Sequence, residues 1–275
     1  MRTRVPLPRQ LEASAAEFWS GGRDPVPVRD ASTVVLLRDR SDGIEAYLLR
    51  RQTSMAFAAG MYVFPGGGVD ARDADASIAW AGPSPAQWAE RLGVGEPLAR
   101  ELVSAAVRET FEESGVLLAG SSQSSVVADV SGDDWEADRV ALECRELSFA
   151  ELLQRRGLVL RTDLLAAWTH WITPEFEPRR FDTRFFVAAL PAGQRTRDIF
   201  GEADRVAWMA PQDAVSGVDS GEMAMLPPTY VTCSDLVGFT SGAEVLAAAG
   251  DRSIRPVLPR LSRDVDGFVL ETDLP

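Results

Sequence analysis

The sequence predicts an α/β (α+β) protein in which one mixed β-sheet is sandwiched between helices. Runs rich in β-branched residues alternate with segments of helical period, and this alternation follows no regular strand–helix–strand rhythm. A chain of 275 residues with 45% hydrophobic content is also long enough to bury a full core. We expect a lead-in at 1–30, one domain at 31–250 and a C-terminal extension at 251–275.

The N-terminal part of the domain begins with a predicted β-hairpin. The lead-in is polar and contains prolines, with one short helix expected at 11–19. The β-branched run at 32–38 and the run at 44–51 are joined by the turn RSDG, which indicates two paired strands. A short strand follows and ends in Pro65 and three glycines.

An inserted segment and a long helix come next. Residues 71–97 are rich in Ala, Gly, Pro and Asp, and we interpret them as an insertion that contains a short helix at 85–92. The pattern after this segment predicts a long helix at 98–114, which Gly115 ends. A polar, Ser-rich loop is expected at 121–134.

The C-terminal half contains further helices and strands. The expected elements are a helix at 148–156, strands at 166–172, 180–190 and 205–210, and helices at 227–239 and 242–250. The tail from Asp251 onward contains prolines and is expected to be extended. No internal repeat is present in the sequence.

The net charge of −13 excludes several classes of partner. Phosphates would be repelled over most of the surface, so we expect no general binding to nucleic acid or to an anionic membrane. No apolar run approaches the roughly 18 residues that a membrane span needs. The 28 basic residues are all arginine. A small anionic substrate must therefore be held by arginine, by a metal or by backbone amides.

Cysteine usage and the chain ends favour a cytoplasmic protein. Cys144 and Cys233 are far apart in sequence, which excludes a CxxC metal site and disfavours a disulfide scaffold. The N-terminal residues contain arginines but no continuous apolar segment, so a secretory signal is not expected. The C-terminal ETDLP is not a peroxisomal or endoplasmic-reticulum address. The usage of Ala and Arg resembles that of a GC-rich bacterial genome.

The segment RETFEESGV at 108–116 concentrates negative charge on one side of the long helix. At about 100° per residue, Glu109, Glu112 and Glu113 fall within an arc of roughly 100°. The apolar residues Val103, Val107 and Phe111 fall on the opposite side. Like charges at this spacing each cost roughly a few tenths of a kcal/mol on an exposed helix.

Two interpretations of this acidic side are open. It could be a solvated face on which Arg108 pairs with Glu112 one turn later. It could instead hold a divalent cation, because Mg²⁺ and Mn²⁺ prefer hard oxygen ligands. The glycines at 66–68 favour the second interpretation, since they allow a positive φ and place no side chain in the way, so they could aim a carbonyl at a metal or amides at a phosphate. Taken alone, the glycines could also be a plain turn.

These residues resemble the signature of the Nudix hydrolases, G-x5-E-x7-R-E-U-x-E-E-x-G-U, where U is a bulky apolar residue. The residues that match it are Gly67, Arg108, Glu109, Glu112, Glu113, Gly115 and Val116. Thr110 falls where the signature has an apolar residue. The signature places its arginine 14 positions after its glycine, whereas Arg108 is 41 positions after Gly67, so about 27 residues are inserted. Counting back from Arg108 puts the first glutamate of the signature at Arg100, with Glu101 one step away.

The resemblance implies a Nudix fold with a helical insertion and a C-terminal extension, and it implies an active site. Glu109, Glu112 and Glu113 would hold Mg²⁺ or Mn²⁺ together with the Gly67 carbonyl, and Arg108 would orient the glutamates. The family hydrolyses a nucleoside diphosphate linked to another moiety by attack of water on phosphorus. A glutamate of the helix or a carboxylate on a facing loop would take the proton. Glu202 is the candidate on a facing loop, although it could equally be an ordinary loop residue.

A branch of the family is also indicated. The long insertion and the segment 168–191 look like the branch that contains coenzyme A diphosphatases, whose products from coenzyme A are phosphopantetheine and adenosine 3′,5′-bisphosphate. The related pattern LLTxRSx3Rx3Gx3FPGG is matched in part by Leu48, Arg51, Gly60 and residues 64–67, while Ala56 replaces its second arginine.

Coenzyme A or an acyl-CoA is therefore the favoured small-molecule substrate. ADP-ribose and NADH are alternative substrates. From a different class, the domain could be a non-hydrolysing nucleotide sensor, although a pure binder does not need three metal carboxylates. The acidic net charge disfavours mRNA decapping. Family members often form dimers, which leaves a homodimer open.

The roles of several other residues have two possible interpretations. Arg51, Arg180 and Arg184 are predicted to contact substrate phosphates, because guanidinium groups bind phosphate in a bidentate manner. A regular strand would place Arg180, Asp182 and Arg184 on one face, where a salt bridge within the chain is the alternative.

The lone His170 could be a base, but we favour a hydrogen-bonded residue of the core or the site lining. Trp80 and Trp88 could stack on an adenine, but we favour packing of the insertion onto the domain.

Overall fold

The computed structural model describes residues 2–7, 11–53, 58–199, 203–265 and 267–274. The strands are β1 (Arg2–Pro6), β2 (Arg29–Arg40), β3 (Gly43–Arg51), β4 (Tyr62–Val63), β5 (Gly66–Gly68), β6 (Trp80–Ala81), β7 (Ala119–Gly120), β8 (Val159–Arg161), β9 (Ala166–Ile172), β10 (Phe181–Ala189), β11 (Ala203–Met209), β12 (Pro256–Val257), β13 (Arg260–Asp264) and β14 (Gly267–Asp273). The helices are α1 (Glu12–Trp19), α2 (Pro85–Leu92), α3 (Glu96–Ser114), α4 (Asp133–Glu143), α5 (Phe149–Arg156), α6 (Pro211–Asp219), α7 (Pro227–Leu236) and α8 (Gly242–Asp251).

The centre of the fold is a mixed sheet of eight strands. Six strands follow one another in the order β11-β3-β2-β10-β9-β12, and the short strands β4 and β5 pair with β3 and β2. The pairs β2–β10 and β9–β12 are parallel, whereas the other pairs are antiparallel. The predicted hairpin is confirmed, with Leu37 of β2 opposite Ala46 of β3.

The sheet is covered by helices on both faces. Val34 and Leu36 of β2 belong to the same buried cluster as the apolar residues of α3. Val35 and Leu37 alternate with them and belong to a second cluster that includes residues of α7 and α8. A strand buried on both faces is apolar without interruption, as the run VVLL is. The predicted sandwich of a mixed sheet between helices is therefore confirmed.

The long helix α3 is amphipathic in the predicted sense. Val103, Val107 and Phe111 are all buried and pack in one cluster with residues of the sheet. The helix ends at Ser114 because Gly115 adopts the left-handed conformation, with φ of 72°, which glycine tolerates better than other residues.

The predicted insertion is packed onto the domain. Helix α2 spans the predicted residues, and Ser84 caps it through the Gln87 amide. Trp88 of α2 is buried and makes an edge contact with Phe186 of β10. Trp80 of β6 donates to its neighbour, the Pro83 carbonyl, and lies under the guanidinium of Arg100. The packing interpretation of both tryptophans is confirmed.

Two helices do not follow from the sequence pattern. Helix α4 begins in the segment expected to be a loop, and its buried side chains include Asp138 and Arg139. Charged residues on the buried side remove the apolar period by which a helix is identified. Helix α6 also lacks a clear apolar period, because the small residues Ala214 and Gly217 occupy two of its buried positions.

The two ends of the chain form one antiparallel sheet. Strand β14 pairs with β1 on one side and with β13 on the other, so the tail is extended as expected. Phe176, Phe268 and α1 residues, among them Ala15, form a small apolar cluster beside this sheet. The division of the chain at residues 30 and 250 stays a prediction. Within the described ranges, no helix has the length and apolar character that a membrane span requires.

Candidate active site

One of the three glycines of β5, Gly67, allows helix α3 to approach the strand closely. Gly66 and Gly67 lie opposite Thr33 and Ser32 of β2, and none of the three glycines has a positive φ. The expected positive φ is therefore wrong, whereas the expectation that no side chain stands in the way agrees with the surroundings of Gly67. A Cβ atom on Gly67 would lie 2.6 Å from the carboxylate carbon and both carboxylate oxygens of Glu109. Glycine is needed here because the helix carboxylate approaches the strand backbone closely.

The acidic side of α3 faces β5. Glu113 accepts a hydrogen bond of 2.8 Å from the backbone N–H of Gly66 through Oε2. The Arg108, Glu109 and Glu112 side chains are 12%, 13% and 12% exposed. The alternative of a solvated face is therefore wrong, since these charges are largely withdrawn from water between the helix and the strand.

Arg108 connects the parts of the site. Its Nη1 donates to Glu109 at 2.7 Å and to Glu112 at 3.2 Å. Its Nη2 donates to the Gly68 carbonyl at 3.0 Å, which ties the guanidinium to β5. The pair of Arg108 with Glu112 exists as the helical spacing predicted, but it is one contact in a larger network. The guanidinium thus fixes two of the glutamates relative to the glycine strand.

Asp73 is a site residue that the sequence interpretation did not identify. This carboxylate is buried and accepts hydrogen bonds from Arg108 Nε at 2.9 Å and Nη2 at 3.0 Å. Asp73 stands six positions after Gly67, where the Nudix signature has its first glutamate. Counting back from Arg108 placed that position at Arg100, which is wrong because the extra residues lie after Asp73. Counting forward from Gly67 is the signal that identifies it.

A 3₁₀ turn at Ala71–Ala74 positions Asp73. The turn begins at Asp70, whose side chain accepts from the Arg72 amide, while the Asp73 carboxylate accepts from the Asp70 amide at 2.9 Å. This reciprocal capping fixes the Asp73 side chain before it reaches Arg108.

Thr110 fits the site although it departs from the apolar signature position. Its side chain is buried, and its hydroxyl donates to the Ala106 carbonyl one turn earlier at 2.7 Å. A buried hydroxyl with a satisfied hydrogen bond costs little, so the threonine packs as an apolar residue would.

The electrostatics of the site favour an additional cation. Burial and, to a smaller extent, the nearby Glu112 and Asp73 raise the pKa of Glu109 to about 7, although Arg108 lowers it. Burial also raises the pKa of Glu112. One guanidinium among several buried carboxylates therefore leaves negative charge that is not compensated.

The donor set fits a divalent metal in its chemistry. The carboxylates are hard oxygen donors, and the missing Cβ of Gly67 lets the Glu109 carboxylate lie directly against the strand backbone. Among the described residues, no three His, Cys, Asp or Glu side chains are already grouped as a metal-binding set. Arg108 stands between Glu109 and Glu112 and supplies the counter-charge.

Two of the predicted substrate arginines have partners within the chain. Arg180 is buried and donates to the carbonyls of Thr173 and Val26 at 3.0 and 2.9 Å. Arg184 is buried and bonds Asp182 beside it, so the salt-bridge alternative is confirmed. Contact of either arginine with a substrate stays a prediction.

The remaining predicted residues lie elsewhere in the fold. His170 Nε2 lies 2.5 Å from Asp182 Oδ1 in a buried position, which confirms the interpretation of a hydrogen-bonded residue of the core or lining. Arg51 ends β3 opposite Ala203 of β11. Glu202, the candidate facing carboxylate, lies outside the described residues, and so does Ala56.

Comparison with known proteins identifies the family. The model of the NUDT19 Nudix domain matches residues 83–236, more than half of the chain, including all of α3. The chain is similar to the acyl-coenzyme A diphosphatase NUDT19 of Xenopus laevis, with 25% identity over 270 residues, covering 84% of this chain and 70% of that protein. The human protein of the same name is 27% identical over 271 residues, covering 83% of this chain and 71% of that protein.

A solved structure agrees with this result. The crystal structure of a NUDIX hydrolase from Alicyclobacillus acidocaldarius superposes with a TM-score of 0.65 at 29% identity, covering 84% of this chain and 99% of that one. The fold, the helix with its glutamates and the family match agree. The chain belongs to the Nudix hydrolases, in the family of the NUDT19 Nudix domain.

Proposed function

We propose that this Nudix diphosphatase hydrolyses the diphosphate bond of coenzyme A or of an acyl-CoA in a reaction that depends on Mg²⁺ or Mn²⁺. The observation that carries the proposal is the packing of Glu109, Glu113 and Arg108 against the glycines of β5, with Glu112 paired to Arg108. Such a carboxylate cluster suits diphosphate chemistry, which needs compensation of phosphoryl charge and a nucleophilic water.

The proposed metal ligands are Glu109, Glu112 and Glu113 with the Gly67 carbonyl. A bound divalent cation would neutralise charge on the phosphoryl oxygens and make water nucleophilic at neutral pH. The chain itself supplies the arrangement. Arg108 and Asp73 hold Glu109 and Glu112 in place, and the Gly66 amide holds Glu113.

The chemistry is a displacement at phosphorus. The oxygen of a water molecule bonds to one phosphorus of the diphosphate, the bond from that phosphorus to the bridging oxygen breaks, and the leaving phosphate monoester keeps the bridging electron pair. The proton of the water passes to a carboxylate. We propose a glutamate of α3 or Glu202 as the acceptor. With coenzyme A the products are phosphopantetheine and adenosine 3′,5′-bisphosphate.

The choice of coenzyme A rests on the relatives and on the partial motif. The relatives reported above are named acyl-coenzyme A diphosphatases, at 25% and 27% identity. Arg51 belongs to the motif and lies at the end of β3, whose neighbour β4 leads into β5. We propose Arg51 as a contact to a substrate phosphate. We propose Arg180 and Arg184 as further contacts to substrate phosphates; their guanidinium groups also bond to groups within the chain.

Product analysis tests the substrate assignment. The protein is incubated with coenzyme A, acetyl-CoA, ADP-ribose or NADH in the presence of Mg²⁺ or Mn²⁺, and product masses are recorded. We expect the phosphopantetheine and bisphosphate masses from coenzyme A or acetyl-CoA, and no products without metal. Preferential cleavage of ADP-ribose or NADH would reassign the substrate. Cleavage of none would support a nucleotide sensor.

The proposed substrate is a small nucleotide-containing molecule. We propose no nucleic-acid or membrane partner and a cytoplasmic location, on the strength of the acidic charge and the cysteine usage. A homodimer stays open, and sedimentation of the purified chain would decide it.

A further inference from the structure

The C-terminal end of α3 is held from outside the helix. The last carbonyls of a helix have no partner within it, and positive charge near them is favourable. Here the Glu112 carbonyl accepts a hydrogen bond of 2.9 Å from Arg139 Nη1 of α4. The Ser114 carbonyl accepts one of 2.9 Å from the backbone N–H of Arg197. Both contacts fall in the turn that carries Glu112 and Glu113.

Two acids of α4 hold the Arg139 guanidinium in the orientation that this contact needs. Its side chain is only 6% exposed, and it donates to Glu136 at 2.7 Å and to Glu143 at 2.9 Å. These acids lie one turn before and one turn after it on α4. With the guanidinium fixed on both sides, its remaining Nη1 contact goes to the Glu112 carbonyl.

Arg197 completes the arrangement. Its Nη2 donates to the carbonyls of Val130 and Gly132 at 3.2 and 3.1 Å, just before α4 begins. Its Nη1 lies 3.4 Å from Glu136, the acid that Arg139 also binds. We define Glu136, Arg139 and Arg197 as the C-terminal bracket, because they join the end of α3 to the start of α4.

The bracket acts on the residues that face β5. The Glu112 carbonyl accepts the hydrogen bond from Arg139, and the Glu112 carboxylate contacts Arg108. The next residue, Glu113, contacts the Gly66 amide. A displacement of this turn would move both carboxylates relative to the glycine strand.

We propose that Arg139 is a positioning residue, which with Glu136 and Arg197 holds the last turn of α3 so that Glu112 and Glu113 can bind the metal. This inference rests on the proposed function of the same site. Groups that orient metal ligands without touching the metal are commonly worth 10- to 100-fold in metal affinity or activity, so we expect an effect of about tenfold.

Loss of the Arg139 guanidinium need not detach α4. Phe111 of α3 and Trp135 of α4 pack edge to face with centroids 6.2 Å apart, independently of the bracket. Glu136 and Glu143 are 35% and 41% exposed, so water can solvate them when their partner is removed. A variant can therefore test positioning without loss of the fold.

The test compares Arg139→Met with Arg155→Met in the full-length chain. Arg155 pairs with Asp138 of α4 and is 55% exposed, so its substitution removes the same charge near α4 without removing a bracket contact. Mn²⁺ binding is measured by electron paramagnetic resonance, and kcat and KM are measured with acetyl-CoA. We expect Arg139→Met to raise the Mn²⁺ Kd about tenfold and to lower kcat with little change in KM. Arg155→Met should match wild type.

Equal Mn²⁺ affinity and kcat in the two folded variants would overturn the inference. If Arg139→Met does not fold, Arg139→Lys keeps the charge but has one nitrogen in place of the Nε, Nη1 and Nη2 atoms that contact Glu112, Glu136 and Glu143. Wild-type Mn²⁺ affinity in that variant would equally overturn the inference. Absence of Mn²⁺ binding by the wild-type protein would refute the proposed metal site itself and the inference with it. Normal wild-type binding with an unaffected Arg139 variant would refute only the bracket.

Discussion

Replacement of Gly67 by alanine tests the close approach of the helix to the glycine strand. Because Gly67 does not have a positive φ, the substitution adds a methyl group without backbone strain. That Cβ would lie 2.6 Å from the Glu109 carboxylate, whereas ordinary contacts begin at 3.4 Å. The carboxylate must therefore move by about 1 Å, and a misplacement of that size can cost roughly a hundredfold in rate.

The same geometry predicts a small effect on stability. The displaced group is the end of a flexible side chain, so Gly67→Ala should lower the free energy of unfolding by only about 1 kcal/mol, the low end for overpacking. Gly68→Ala is the matched control. It lies in the same strand, and its Cβ would meet nothing closer than the Asp30 carbonyl at 3.9 Å.

The assay is kcat/KM for acetyl-CoA with saturating Mg²⁺, together with urea unfolding of each variant. We expect Gly67→Ala to lose about a hundredfold in kcat/KM and Gly68→Ala to lose little. Similar activities in the two variants would refute the reasoning, because the close approach of the Glu109 carboxylate to Gly67 would then not matter for the reaction.

Further predictions concern the carboxylates and the thiols. The double substitution Glu112→Gln and Glu113→Gln should lower kcat by about a hundredfold or more, since even the groups that orient metal ligands are worth up to that factor; rates near wild type would mean that the site is elsewhere. Asp73→Asn should lower the free energy of unfolding by about 2 kcal/mol in urea, because the buried Arg108 loses a charged partner but keeps Glu109 and Glu112; an unchanged midpoint would contradict this role of Asp73. Titration with a thiol reagent at pH 8 should detect one thiol in the native protein and two in urea, since Cys144 is exposed while burial raises the pKa of Cys233 to about 12; two fast thiols in the native state would be inconsistent with the fold.

The pattern of the glutamate helix could be predicted from the sequence because it depends on local geometry. Helical spacing alone places the three glutamates on one side and Phe111 with the core on the other. The position of Gly115 predicts where the helix ends. These features involve residues within a few turns of one another, so no long-range contact has to be known.

The purpose of the glycines could not be predicted in the same way. Glycine permits both unusual backbone angles and close approach, and the sequence alone does not distinguish them. The choice depends on Glu109, which comes 42 positions after Gly67 in the chain and meets it only in the fold. The structure shows that close approach is the reason.

The role of Asp73 and the existence of helix α4 were not predicted from the sequence, for two different reasons. The 34 residues between Asp73 and Arg108 replace a spacing of seven in the signature, so counting from the arginine reaches the wrong residue. In α4 the buried positions include Asp138 and Arg139, whose charges are compensated in part by groups from other parts of the fold, namely Arg156 and the Glu112 carbonyl. Tertiary contacts of this kind leave no periodic signal in the sequence.

The most direct measurement of the central claim is the position of a bound metal. Crystals of the wild-type protein grown with Mn²⁺ are examined by anomalous scattering at the manganese absorption edge. We predict an anomalous peak about 2 Å from carboxylate oxygens of Glu109, Glu112 or Glu113, beside Gly67. A protein that hydrolyses its substrate with manganese bound only elsewhere would contradict the account.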